Sequence, residues 1–333
     1  MLDDRRFQEA LLEKKQRLYD PVRLFRPLPA QLPLLKSRAS EVILRGGNRS
    51  GKSVTGAAIV ASAARRLPLH GLDGKPLPNF CPTNRPLTIW VIGKGESHIG
   101  QTLYRLLFEP GQIPIFRDRR GQVRAARNYA ERKAGEEQGL KCGPFIPLID
   151  LAGNPGDEIA SISWKDKGEH HFSSCVLKNG TTIHAFTSTG DVKMGDPVDL
   201  IWIDEDIAYP KYVAEWQARL SDRKGRLIWT AWPWASNWAL VEMSRRAAEQ
   251  RLRSDPDVFE VVLRFSDNPL IDEDEKRKRR AAWSYSGSAE LRSRDEGDFV
   301  TDLLLMYPNF SRRLHGLGQD RDELPSQEAH NAA

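Results

Sequence analysis

No apolar run in the 333 residues approaches the roughly 20 needed to cross a bilayer, so no membrane helix is expected. Cysteine is scarce. The three present, Cys81, Cys142 and Cys175, lie far apart. That spacing suits neither a disulfide framework nor a zinc site, and it reads as reduced thiols in a cytosolic protein. The seven histidines include an adjacent pair, His170 and His171, but no cysteine or acid stands beside it at a ligand spacing. The pair is therefore expected in a strand or loop. Met1 to Arg6 is charged and lacks the apolar core of a signal peptide. No internal repeat is visible. Neither sign of charge dominates: 50 Lys and Arg against 45 Asp and Glu leave +5, which permits nucleic-acid binding without requiring it.

What is present is more pointed. Glu41 to Arg45 is a short apolar strand, and it runs into Gly46, Gly47, Asn48, Arg49, Ser50, Gly51, Lys52 and Ser53. This is a G-x-x-x-x-G-K-S loop. Its glycines allow a tight turn whose N–H groups converge on phosphate oxygens. Lys52 is expected to reach the β/γ-phosphates of ATP, and the Ser53 hydroxyl to coordinate Mg²⁺. The Ala-rich stretch from Val54 to Arg66 reads as the helix whose N-terminus faces the phosphates.

A nucleoside triphosphatase also needs an acid for the metal and a base for water. Leu200 to Ile203 is a continuous apolar run, the pattern of a strand buried on both faces, and it ends in Asp204 and Glu205. Asp204 is read as holding Mg²⁺ through its water shell, and Glu205 as polarising the attacking water. The plainer alternative, a solvated strand-end turn, leaves the phosphate loop upstream without its partner motif. A further strand, Leu227 to Ala231, carries Thr230 and stops at Pro233. Thr230 is either a sensor of the γ-phosphate or a plain core residue. Gln31 precedes the phosphate loop, where a glutamine can hydrogen-bond an adenine edge; surface glutamines are also common.

Along the rest of the chain, residues 4 to 18 read as a helix ended by Pro21, and Leu87 to Ile92 as a strand followed by a helix from Ser97 to Phe108. Residues 109 to 160 read as irregular, with a basic stretch from Arg117 to Lys133 that is either a solvated face or a nucleic-acid contact. His171 to Leu177 and Thr181 to Ser188 read as strands joined by an Asn179-Gly180 hairpin turn. Residues 206 to 222 read as helical, Val258 to Phe265 as a strand, and Glu273 to Trp283 and Ser286 to Arg294 as helices. Alternating strands and helices predict an α/β fold, a P-loop NTPase of the RecA-like type with a mainly parallel sheet. The expected division is an ATPase domain over 1–265, a small lid or linker over 266–315 and a polar, disordered tail over 316–333.

These motifs, in this order, resemble the large terminase subunit of tailed bacteriophages, the ATP-driven motor that pumps DNA into a procapsid. The resemblance rests on Pro27 to Gln31, Ile43 to Ser53, Asp199 to Glu205, Asp267 to Pro269, Glu296 to Phe299 and Met306 to Phe310. It implies a Mg²⁺-dependent ATPase that translocates double-stranded DNA. The implied partners are a portal protein and procapsid, a small terminase subunit, and further copies of the chain in a ring, in the cytoplasm of the bacterial host. It implies that Arg49 stabilises γ-phosphate charge and that Lys193 stands where relatives carry an arginine finger. The family continues into a nuclease domain, for which residues after Gly316 are too few. No nuclease activity is therefore expected of this chain, and a separate nuclease polypeptide is one implication. A helicase-like translocase, or a non-catalytic prophage adaptor, are the alternatives.

Overall fold

The computed structural model describes residues 2–148, 159–190 and 196–300. Its strands are β1 (Glu41–Gly46), β2 (Thr88–Gly93), β3 (Ile115–Arg117), β4 (Val123–Ala125), β5 (Ile159–Asp166), β6 (His171–Leu177), β7 (Thr182–Thr187), β8 (Leu200–Asp204), β9 (Arg226–Ala231) and β10 (Val258–Leu263). Eight of them form one sheet in the order β10-β1-β9-β8-β2-β7-β6-β5. The pairs from β10 to β7 are parallel, while β6 and β5 extend the edge antiparallel. The mainly parallel α/β sheet expected from the sequence is therefore present.

Both faces of the central strands are buried, which is why β8 is apolar from Leu200 to Ile203 before it ends in Asp204. Leu44, Val91, Trp202 and Ile228 belong to one core, which also takes in the Ala-rich helix Lys52–Arg65. Ile43, Ile92, Ile203 and Trp229 alternate to the other, with Val213 and Trp216 of helix Tyr212–Ser221 and Leu240 and Met243 of helix Trp238–Glu249. Helix Lys52–Arg65 approaches the sheet so closely that a β-carbon at Gly56 would lie 2.4 Å from the Trp202 indole nitrogen. The parallel crossovers place the loops after β1, β8 and β9 at one edge, where open α/β sheets bind ligands.

The segment expected to be irregular is more ordered than its composition indicates. Strands β3 and β4 form an antiparallel hairpin, and helix Tyr129–Glu137 follows, capped by the Asn128 side chain accepting from the Glu131 N–H at 2.9 Å. A β-carbon at Gly135 would meet the Ile115 carbonyl, so this helix lies directly on the hairpin. Strand β5 is likewise additional to the strands anticipated. His170 and His171 sit at the β5–β6 turn, His170 with φ of 53°. Asp267 to Asp298 does not stand apart: Arg45 of β1 donates to the Gly297 carbonyl and lies over the Phe299 ring, 4.6 Å from its centre. The expected tail and Met306 to Phe310 lie outside the described residues.

At the opposite edge of the sheet, Asp199 precedes β8 and is 2% exposed. Its carboxylate accepts from Arg85, from the Thr88 N–H at 2.8 Å and from Arg223 at 2.9 Å. Burial alone would raise this carboxyl, but the hydrogen bonds from Arg85, Thr88 and Arg223 outweigh it and hold it below the ordinary 3.8. A depressed folded-state value stabilises the fold above pH 3.8, and that contribution is lost as pH falls through the lower, folded value. Asp199→Asn is expected to cost about 3 kcal/mol at pH 7, because two guanidinium groups lose their partner. Urea titrations check this. Variant and wild type should converge in stability below pH 3.8, and equal midpoints at pH 7 would refute the clamp.

Candidate active site

The phosphate loop leaves β1 at Gly46 and enters helix Lys52–Arg65. Two glycines are dictated by position. Gly47 lies under the Arg294 carbonyl, where a β-carbon would come within 1.9 Å, and Gly51 has a φ of 93°. Arg49 is also left-handed, at 57°. The loop is braced by the Gly47 N–H donating to Leu263 at 3.1 Å, the Asn48 N–H donating to Arg294 at 3.2 Å and the Ser50 hydroxyl donating to Gly47 at 2.9 Å. Among the described residues, no acceptor meets the backbone amides of Ser50 through Ser53. Four unsatisfied donors at a helix N-terminus make an anion cradle.

This cradle forms one wall of a cleft of about 1360 Å³, whose lining includes Gln31, Arg49, Ser53, Tyr129, Glu205 and Asn268. Gln31 is 3% exposed. Its side-chain oxygen accepts the Leu28 N–H at 2.7 Å, and its amide nitrogen faces Gly51. Arg49 is exposed, and its carbonyl accepts from Asn268 at 2.7 Å. Asn268, in the Asp267 to Pro269 stretch, therefore ties that stretch to the loop itself.

Glu205 and Lys52 meet across the cleft: Nζ is 3.2 Å from Oε1 and 3.4 Å from the Gly47 carbonyl. The other carboxylate oxygen, Oε2, accepts the Trp232 N–H at 3.0 Å. Glu205 adopts a φ of 64°, a conformation that costs a non-glycine residue about 1 kcal/mol or more. It is held there by its N–H donating to Thr230 at 2.7 Å and its carbonyl accepting from the Trp229 indole at 2.9 Å.

Asp204 is fully buried, as is Thr230 beside it in the β8–β9 register. The Thr230 hydroxyl donates to Asp204 Oδ1 at 2.6 Å and accepts from the Trp202 indole at 2.7 Å. Asp204 Oδ2 lies 2.9 Å from His98 Nε2. Thus Lys52 and Glu205 meet at the loop and line the cleft, while Asp204 and Thr230 pair with each other beneath it and are not among the cleft's lining residues. Lys193 lies outside the described residues. His98 and the backbone of Trp232 and Arg294 escape sequence reasoning; the histidine is isolated in sequence, and backbone contacts leave no residue signature.

Part of the basic stretch folds as paired charge. Arg117 bonds Glu13 at 2.7 Å, Arg124 bonds Glu131 at 2.8 Å and Arg132 bonds Glu136 at 2.9 Å. Arg119 and Arg120, at the hairpin tip, are exposed and have no ion pair among the described residues. Among those residues, no cluster of three or more metal-ligating side chains occurs away from the cleft or within it. Asp204 and Ser53 would supply oxygen donors only, which suits a hydrated Mg²⁺ kept mostly by water and phosphate.

No family model and no curated protein matches the sequence. Among solved structures the chain is similar to the large terminase ATPase domain of a Thermus phage, at 13% identity and a TM-score of 0.51, covering 84% of this chain and 96% of that one. An arginine-to-alanine variant of the same domain aligns at 12% identity, with a TM-score of 0.50 and the same coverages. The large terminase of a thermophilic bacteriophage in complex with ADP aligns at 14% identity and a TM-score of 0.48, over 82% of this chain and 54% of that one. At these identities the likeness is one of fold.

The Thr230 network predicts a large effect from a near-isosteric change. Thr230→Val strands the buried Trp202 N–H and one oxygen of Asp204, at about 1–3 kcal/mol each. The expected loss is roughly 2–6 kcal/mol, read by chemical denaturation. Thr230→Ser keeps the hydroxyl and should lose about 1 kcal/mol. A valine variant as stable as the serine variant would remove the network from the account.

Proposed function

We propose that the chain is the ATP-hydrolysing motor subunit of a phage DNA-packaging terminase. The observation that supports ATP hydrolysis best is the Lys52–Glu205 pair, set over four acceptor-free amides and beside the buried Asp204. The fold it shares with the terminase ATPase domain is the support for the packaging role.

In this reading the amides of Ser50 to Ser53 and the ammonium of Lys52 bind the β- and γ-phosphates of ATP, with Arg49 at the γ-phosphate edge. Gln31 flanks the base. Ser53 and Asp204 would hold Mg²⁺, which would supply charge neutralisation on the phosphate oxygens. Phosphate draws Lys52 away from Glu205, and the freed carboxylate orients water and accepts its proton. Thr230 ties the state of Asp204 to β9. That strand continues to Trp232, whose indole donates to the Ser293 carbonyl at 3.1 Å, beside the Arg294 carbonyl that seats the loop. Basic surface, including Arg119 and Arg120, is assigned to DNA phosphates. Double-stranded DNA, a portal and procapsid, a small terminase subunit, further copies in a ring and Lys193 as a trans-acting residue complete the reading.

Purified protein is expected to hydrolyse ATP with Mg²⁺ and to stop when the metal is chelated. Lys52→Ala should lose nucleotide binding and turnover together. Glu205→Gln should still bind ATP but turn over about 10²-fold or more slowly, the loss expected for a general base. Colorimetric phosphate release and a fluorescent-nucleotide titration separate the two effects. Turnover at the wild-type rate in both variants would refute the site. Unchanged turnover on adding double-stranded DNA together with a portal would count against the motor role.

A further inference from the structure

We infer that His98 is a positioning residue for the metal-binding carboxylate, holding the carboxylate oxygen of Asp204 that Thr230 does not. The inference rests on the ATPase reading above and extends it to an element outside its motifs. Asp204 has no exposed surface, so each oxygen needs a donor from the protein. Thr230 serves Oδ1 at 2.6 Å from the neighbouring strand. His98 serves Oδ2 at 2.9 Å, and a carboxylate partner requires that Nε2 carry the proton. The two bonds arrive at different oxygens from different elements, and together they fix the rotation of the carboxylate.

The histidine is itself held. It lies in the short helix Glu96–His98, just beyond β2, and its side chain is only 17% exposed. Ile99 and Leu103, in the following turns, are fully buried. A β-carbon at Gly93 would press on the His98 ring at 3.3 Å, and one at Gly100 would collide with the Glu169 carbonyl. Glycine at both positions lets the helix sit low against the sheet, which carries the imidazole to Asp204. An outer group that hydrogen-bonds a metal-binding side chain typically contributes 10- to 100-fold in metal affinity or activity. His98 occupies that position, from a short helix after β2 that carries no other residue of the site.

The test is the Mg²⁺ dependence of binding by a fluorescent ADP analogue, with ATP turnover measured alongside, on wild type, His98→Ala, His98→Gln and Lys52→Ala. In His98→Ala the Mg²⁺ concentration for half-maximal enhancement of binding should rise about tenfold, while affinity in EDTA is unchanged. His98→Gln, whose amide nitrogen reaches the place of Nε2, should restore most of the wild-type metal dependence. A thermal melt on each variant registers any loss of fold, and a histidine needed only for packing would not be rescued by glutamine in the metal titration alone. An unchanged metal requirement in His98→Ala overturns the inference. A lowered one also overturns it, and makes the histidine a plug over Asp204. Wild-type protein that binds no nucleotide, like Lys52→Ala, would instead overturn the ATPase reading and this inference with it.

Discussion

A carboxylate with no exposed surface is the constraint on which the rest of the site depends. An unpaired buried charge costs several kcal/mol, so Asp204 requires donors built into the fold. Placing β9 between β8 and β1 supplies one: Asp204 pairs in register with Thr230, and Thr230 pairs in register with Leu44. The phosphate loop begins two residues beyond Leu44. Sheet order therefore sets the distance between the acid and the loop, and no side chain on the loop has to reach for it. The Trp202 indole, pressed against Gly56 of the helix that leaves the loop, gives the Thr230 hydroxyl its own donor. Core packing and site chemistry are thus the same contacts.

The loop is held from outside as well. Residues 263–297 cross behind it, accepting from Gly47 and Asn48 and closing on the Arg49 carbonyl through Asn268. Arg45, at the end of β1, bonds Glu260 at 2.9 Å and also reaches the Gly297 carbonyl. Phe265 and Ser266 are tied to Asp295, which is 1% exposed and pairs with Arg280. A segment bonded to the loop at its entry, middle and flank cannot shift without moving the loop amides. The indole of Trp232 reaches the same segment at Ser293, so β9 and the loop share one neighbour. That shared neighbour is a physical link between β9 and the phosphate loop, independent of the Thr230 hydroxyl.

What the sequence reveals follows from how many residues each element commits to one pattern. Strands β1, β8 and β9 are five or six residues long and apolar nearly throughout, so burial on both faces is legible. The Asn179-Gly180 turn marks the β6–β7 hairpin by its chemistry, Gly180 having a φ of 84°. Strands β3 and β4 have three residues each, too few for any period, and their order comes from the helix laid on them. Lys52 is singled out in the sequence by the G-x-x-x-x-G-K-S pattern, and Asp204, Glu205 and Thr230 because each closes or continues an apolar run. His98 was not, because only the fold brings the end of β2 to the end of β8. Trp232 serves Glu205 through its backbone N–H, a role that does not depend on its side chain.

Glu205 combines these constraints. Its left-handed backbone turns the carboxylate away from the direction Asp204 takes, so adjacent acids in one strand serve different places. With Lys52 at 3.2 Å the charge of Glu205 is compensated, and its remaining oxygen is occupied by Trp232. A triphosphate competes for Lys52 with more negative charge than one carboxylate carries, and it also meets the free amides of the loop. The exchange leaves Glu205 fixed by three backbone-directed bonds, from Trp232, to Thr230 and from Trp229, but without its cation. In the proposed reading the same glutamate is the ion-pair partner of Lys52 until nucleotide binds and an oriented base once Lys52 has turned to phosphate. Under the proposed reading, basicity at the place where water must be activated is therefore conditional on nucleotide, and it follows from one lysine changing partners rather than from any rearrangement of the strand.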